Sequence, residues 1–203
     1  MIEVPGWFQR DVSRETLEKL ARYTALLRKW TARINLISKS SERELEHRHI
    51  WDSAQIYEPM DGRWLDLGSG GGLPAVVVAI LAQGDGRDLT AVLVESDQRK
   101  ATFLRTCARE LDLALDVFVG RIEDVAPQSA NIISARALAD LDHLLGFSVR
   151  HLAAGGRCVF MKGATWQDDI KRAQQNWRFS CDASPSKTNP EAAILRIEEI
   201  ERV

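Results

Sequence analysis

Trp64-Leu65-Asp66-Leu67-Gly68-Ser69-Gly70-Gly71-Gly72-Leu73-Pro74 runs from an apolar strand through a glycine-dense turn into a helix. Glycine suits that turn because the backbone must bend tightly and come close to a ligand. The next apolar strand, Leu89 to Val94, ends on an acid, Glu95. A strand, a glycine turn, a helix and a second strand closed by an acid describe a pocket for an adenosine-bearing cofactor over the carboxyl edge of a parallel sheet. A dinucleotide fingerprint reading from Gly68 would want glycine at position 73, where this chain has Leu73. Asp66, placed before the first glycine, suits a positively charged ligand better than a pyrophosphate. S-adenosylmethionine carries an ammonium and a sulfonium but no phosphate, and it is the cofactor this pattern indicates.

Outward from that stretch, strands and helices alternate. Strands are expected at 63–67, 89–94, 115–119, 131–135 and 156–161, with helices at 74–81, 98–111 and 141–151. Short apolar strands separated by helices predict an α/β, Rossmann-like parallel sheet covered on both faces. A polar helix at 166–176 and two further strands near 178–181 and 192–197 follow, with Ser184-Pro185-Ser186-Lys187-Thr188-Asn189-Pro190 as a loop between them. Upstream, residues 13–37 read as one amphipathic helix capped by Ser13, with Leu17, Leu20, Thr24, Leu27, Thr31 and Ile34 on its buried face. A second helix is expected from the capping box at Ser41 to about Tyr57. The division predicted is therefore an amino-terminal helical cap, 1–60, on a methyltransferase-like core, 61–203, the two forming one structural unit.

The 203 residues are 45% hydrophobic and 28% charged with a net charge of −2, an ordinary balance for a globular domain. No apolar run reaches the roughly 20 residues that cross a bilayer, and Met1-Ile2-Glu3-Val4-Pro5-Gly6 has no signal-peptide pattern. A cytoplasmic location is expected. Cys107, Cys158 and Cys181 are too few and too scattered for a disulfide framework, and no metal-ligand pattern stands out. Bulk charge does not attract nucleic acid here, so any RNA contact must use a local basic face. Arg99, Lys100, Arg105 and Arg109 offer one such face, and Arg28, Lys29, Arg33 and Lys39 another.

Ligands of open α/β sheets bind beyond the carboxyl ends of the strands, and this chain has a polar residue at each. Asp66 with Gly68 and Gly70 follows the first, to meet the amino-acid part of the cofactor. A carboxylate at Glu95 can accept two ribose hydroxyls. Ile122 and Glu123, past the third strand, are placed for the adenine ring and its exocyclic amine. Arg136 leaves the fourth strand, where it would contact cofactor, phosphate or base, or else pair with Glu95 or Asp140. Lys162 ends the fifth, a second cation near the opening. His49 and Asp52, three apart on the second helix, are expected to pair with each other.

Throughout its length the chain resembles the RsmG (GidB) methyltransferases of bacterial small-subunit ribosomal RNA. The resemblance rests on Trp30 with Asn35-Leu36, on Arg48-His49-Ile50-Trp51-Asp52-Ser53, and on the glycine turn through Leu73-Pro74. It continues through Val94-Glu95-Ser96, Gly120-Arg121-Ile122-Glu123, Ala135-Arg136-Ala137 and Lys162-Gly163. The chain departs from the family pattern at Thr31, Ala75 and Glu95, where asparagine, glycine and aspartate are common. The resemblance implies cofactor contacts at Gly68, Leu73, Ile122, Glu123 and Arg136. It implies methyl transfer to N7 of one guanine in the conserved loop of 16S rRNA near the decoding region, with free 16S rRNA or the 30S subunit as partner and a monomeric enzyme. The residues agree with such an acceptor. Exocyclic amine methylation usually employs an Asn/Asp-Pro-Pro-aromatic turn where this chain has Ser134-Ala135-Arg136-Ala137, and pyrimidine C5 methylation needs a cysteine nucleophile. Guanine N7 has a lone pair and no proton to lose, so alignment suffices. Arg136 and Lys162 are the expected catalytic residues. A nucleotide-dependent oxidoreductase and a non-catalytic RNA- or ribosome-binding module are the alternatives on the same fold.

Overall fold

The computed structural model describes residues 2–38 and 42–203. Seven strands form one sheet in the order β3-β2-β1-β4-β5-β7-β6. The first five are parallel: β1 (Gly62–Leu67), β2 (Leu89–Glu95), β3 (Leu115–Val119), β4 (Ala130–Arg136) and β5 (Leu152–Lys162). Their carboxyl ends, bearing Asp66, Glu95, Arg136 and Lys162, therefore lie along one edge. β6 (Trp177–Pro185) and β7 (Ala193–Arg202), for which the sequence indicates no direction, extend the parallel sheet with β7 running antiparallel between β5 and β6. The short 186–192 link returns the chain directly beside β6, and parallel pairing would have needed a crossover helix.

Period-two alternation divides the strands between two apolar layers. Trp64, Ala91, Leu93, Ile132 and Val159 face one layer, and Leu65, Leu67, Val92, Val94, Ile133 and Phe160 face the other. The first layer holds α3 (Ala75–Gly84), α4 (Gln98–Leu111) and the amino-terminal helices; the second holds α5 (Leu141–His151) and α6 (Trp166–Ala173). Helices α4 and α5 keep their expected limits. β5 begins earlier than expected, because the Ala154-Gly155-Gly156 stretch is absorbed as an irregularity in its pairing with β4.

Helix α1 (Arg14–Thr31) is capped by Ser13, whose side chain accepts from the Thr16 N–H. It buries Leu20, Tyr23, Thr24 and Leu27 against α3 and α4. It stops six residues short of the expected end, and the chain turns so that Leu36 lies against Gly71 of the glycine turn. The second helix is not one regular α-helix either. A 3-10 turn (Glu42–Glu44) leads into a π-helical turn (Glu46–Trp51) and then α2 (Asp52–Ala54). Ser41, its expected cap, and Lys39 lie outside the described residues. π-Turns recur at functional sites because they redirect side chains along a helix, and this one carries Arg48 and His49 into the region above β4.

Candidate active site

Two crevices meet at the carboxyl edge of the sheet. One, about 490 Å³, is lined by the glycine turn from Gly68 to Gly71, by Leu73 and Arg136, and by residues from the amino-terminal segment and the 186–192 link. The other, about 410 Å³, lies between the ends of β2, β3 and β4, lined by Val94, Ile122, Glu123, Leu138, Ala139 and Phe147. Gly68 lines both.

The turn is built for close approach. Gly68 and Gly70 have φ of +65° and +53°, the left-handed region that side-chain-bearing residues resist. A Cβ on Gly68 would lie 2.6 Å from Leu138 Cδ1. Helix α1 lies on the turn from behind, where the Tyr23 hydroxyl donates to the Gly71 carbonyl. The Ser69 N–H donates to the Val94 carbonyl at 3.0 Å, fastening the turn to β2.

Two carboxylates sit at this turn. Asp66 is fully buried, in register with Ser134 of β4. The Ser134 hydroxyl donates to Asp66 Oδ1 at 2.6 Å and accepts from the Trp64 indole at 2.8 Å. Asp66 Oδ2 is buried with no hydrogen-bond partner. Burial pushes the carboxyl up to about 6, against the lowering by the Ser134 hydrogen bond and the Arg136 charge. Glu95 is also buried, accepting the Gly70 N–H at 2.7 Å and the Asp97 N–H at 2.8 Å. Each of its oxygens retains a second acceptor site for a hydroxyl. Two buried carboxylates, one with an oxygen left unpartnered, suit a ligand bearing positive charge and disfavour a pyrophosphate. The chemistry of these carboxylates therefore fits S-adenosylmethionine.

Because Asp66 binds its proton more tightly in the folded chain, its contribution to stability is fully present below pH 4. That contribution is lost as pH rises to about 6. Asp66→Asn should raise the melting temperature of the ligand-free protein at pH 7.5 by roughly 5 °C. It should also weaken S-adenosylmethionine binding about tenfold. Melting and calorimetric titrations check both, and an unchanged affinity would separate Asp66 from the ligand.

Arg136 is 20% exposed and pairs with neither Glu95 nor Asp140. Its Nη1 lies 3.0 Å from His49 Nδ1 and 3.5 Å from Asp52 Oδ2. His49 and Asp52 thus converge on Arg136 rather than simply on each other. Burial, with the charges of Arg136 and Arg48, lowers the His49 imidazole to about 4, so it is neutral at physiological pH and accepts from the guanidinium. Lys162 lines a smaller adjoining crevice of about 220 Å³, but its ammonium is engaged. It donates to the Ala139 carbonyl at 2.8 Å and contacts Asp169 Oδ2 at 2.7 Å, so the cation expected at the opening instead holds the segment that carries Leu138. Lys100 and Arg48 line the larger crevice. Arg99 pairs with Asp97, Arg109 with Glu110, and Arg28 with Glu46. Cys107 and Cys158 are buried in the two apolar layers and Cys181 lies on β6.

The sequence reading missed Tyr23, Leu138, Phe147 and the 186–192 link. Tyr23 sits on the helical period of α1 next to Thr24 and was findable. The link carries only the marks of a surface loop.

The fold and this paired crevice define a class I methyltransferase that uses S-adenosylmethionine. A family model described as rRNA small subunit methyltransferase G (GidB) matches residues 16–191, and the chain belongs to that family. It is 49% identical over 200 residues to a ribosomal RNA small subunit methyltransferase G of Ruegeria sp. (strain TM1040), covering 98% of both chains. Identity to the protein of that name from Paramagnetospirillum magneticum is 43% over 194 residues, 94% of this chain and 92% of the relative. Among solved structures, M. jannaschii TYW2 in complex with AdoMet is similar in fold, with a TM-score of 0.58 at 14% identity, covering 85% of this chain and 80% of the other. A TehB-like SAM-dependent methyltransferase from Corynebacterium glutamicum gives 0.52 at 17% identity, covering 89% and 98%.

Proposed function

We propose that this chain transfers a methyl group from S-adenosylmethionine to N7 of a guanine in small-subunit ribosomal RNA. The amino-terminal helices, 1–60, are read as the part that completes the site on the 61–203 core. Bound S-adenosylmethionine supplies an electrophilic methyl group on sulfur. The glycine turn and Leu73 would hold its amino-acid part, Glu95 the ribose hydroxyls, and Ile122 and Glu123 the adenine. The observation that carries the acceptor is the state of the groups beside Arg136. His49 already accepts from the guanidinium and is held far below its ordinary basicity, and Asp52 is occupied by hydrogen bonds. With both of these groups beside Arg136 already engaged, the arrangement suits a nucleophile that loses no proton, and guanine N7 is one. Arg136 would orient guanine O6 or a flanking phosphate, with Lys100 and Arg48 meeting the backbone. Lys162 acts through the loop it braces.

Among the described residues no helix is long and apolar enough to cross a membrane, and a cytoplasmic monomer acting on 16S rRNA or the 30S subunit is the reading that fits. Purified protein, tritiated S-adenosylmethionine, and both naked 16S rRNA and 30S subunits from cells lacking the enzyme test it. Borohydride and aniline should then cleave the labelled RNA at one guanine, since N7-methylation opens that ring to reduction. Label that resists this cleavage would place the methyl elsewhere and overturn the N7 acceptor. Label confined to one of the two RNA forms identifies the substrate.

A further inference from the structure

Asp52 is the hub of a network that the activity does not by itself require. Its Oδ1 accepts from Gln55 Nε2 at 2.8 Å, from the Ser186 hydroxyl at 3.5 Å and from the Thr188 hydroxyl. Its Oδ2 faces Arg136. Ser186 Oγ accepts in turn from the N–H groups of Thr188 and Asn189 at 3.2 and 3.3 Å. Gln55 Oε1 accepts from the Lys187 N–H at 2.8 Å. The 186–192 link is therefore folded on itself around a serine and tied to the amino-terminal helices at two points. More than 130 residues of chain separate the partners. Thr188, Asn189 and Ala192 line the same crevice as the glycine turn and Arg136.

We infer that Asp52 is a positioning residue whose two carboxylate oxygens couple the 186–189 link to Arg136, fixing the link as the wall that admits the acceptor base. The inference rests on the proposed RNA methylation for what the wall faces, but not for the coupling. One oxygen collects hydroxyl and amide donors from the link and from Gln55, while the other fixes the guanidinium. A carboxylate is the only side-chain group of this reach that accepts several neutral donors and a cation together. Asparagine offers a single acceptor oxygen, so Asp52→Asn must give up either the link or Arg136. Thr188→Val removes one hydroxyl at nearly constant shape, and Thr188→Ser restores it.

Hydrogen exchange followed by mass spectrometry or NMR reads the coupling without substrate. In Asp52→Asn and Thr188→Val, exchange over 187–189 should accelerate by about tenfold while protection across β1 and β4 is retained; Thr188→Ser should return to the wild-type rate. Wild-type exchange over 187–189 in both variants overturns the inference, whatever the RNA assay shows. Where wild-type protein methylates rRNA, both variants should raise KM for the RNA by about tenfold. Affinity for S-adenosylmethionine should change less than about threefold, because its adenine half lies in the other crevice. An equal loss of cofactor affinity and fold stability, with KM for RNA unchanged, marks Asp52 as a packing residue only and also overturns the inference. Absence of methyl transfer by the wild-type protein, with accelerated exchange in the variants, removes the RNA reading and leaves the coupling standing.

Discussion

Valine at Gly68 is expected to weaken S-adenosylmethionine binding by more than about 100-fold, the effect of backbone strain and lost space together. Gly68 holds φ at +65° and lines both halves of the crevice. A β-branched residue resists that conformation, and its Cβ would meet Leu138 at 2.6 Å. Leu138 is 38% exposed and has room to yield. It yields, however, into the cavity read as the adenine site. The fold should survive better than the site, because the strain falls on a turn rather than in either apolar layer. Calorimetric titration, with Gly6→Ala as a control at a position where a Cβ meets nothing, measures the effect. Wild-type affinity in Gly68→Val would remove the turn from the binding site.

Arg136→Ala is expected to lower kcat/KM for RNA by on the order of 10²- to 10³-fold, as loss of a half-buried charged contact does. Affinity for S-adenosylmethionine should fall by a smaller factor, since Arg136 also lines the crevice of the glycine turn. Asp52 keeps donors from Gln55, Ser186 and Thr188, so the substitution does not strand its charge. Arg136→Lys keeps the charge but loses the planar fork, and should recover only part of the rate. A second signature follows from His49. Arg136 is one of the causes that hold its imidazole near 4. Burial, the larger cause, remains in the alanine variant, so the pKa should rise above about 4 without regaining its ordinary 6.5, as an NMR titration of the imidazole would read. Wild-type turnover would separate Arg136 from the reaction.

Much of the architecture could be read from residue pattern because it depends on local regularity. The apolar strands read at β1 and β2 and the helices read at 98–111 and 141–151 reappear with little change. Readings failed where distant contacts override local preference. Residues 32–37 carry a helical pattern, yet Leu36 is drawn onto the glycine turn. The second helix, read as one regular α-helix, instead contains a π-turn, through which His49 and Asp52 converge on Arg136. The direction of β7 was not legible, since a short apolar strand reads the same whichever neighbour it joins. At the site, sequence spacing brought the residues following β1, β2, β3 and β4 to one edge. It could not show that Lys162 is paired with Asp169, nor that the 186–192 link, with the composition of a surface loop, forms part of the wall. Those depend on side chains brought together from far apart in the chain.

Strand β7 is made after β6 but lies inside it, between β5 and β6. During translation β6 therefore has no neighbour to join until the residues up to Arg202 have left the exit tunnel. The nascent chain can complete its five parallel strands and glycine turn early, while the wall carrying Thr188 waits for this closing insertion. The wall carrying Thr188 is thus placed last, only once β7 has paired with β5 on one side and β6 on the other.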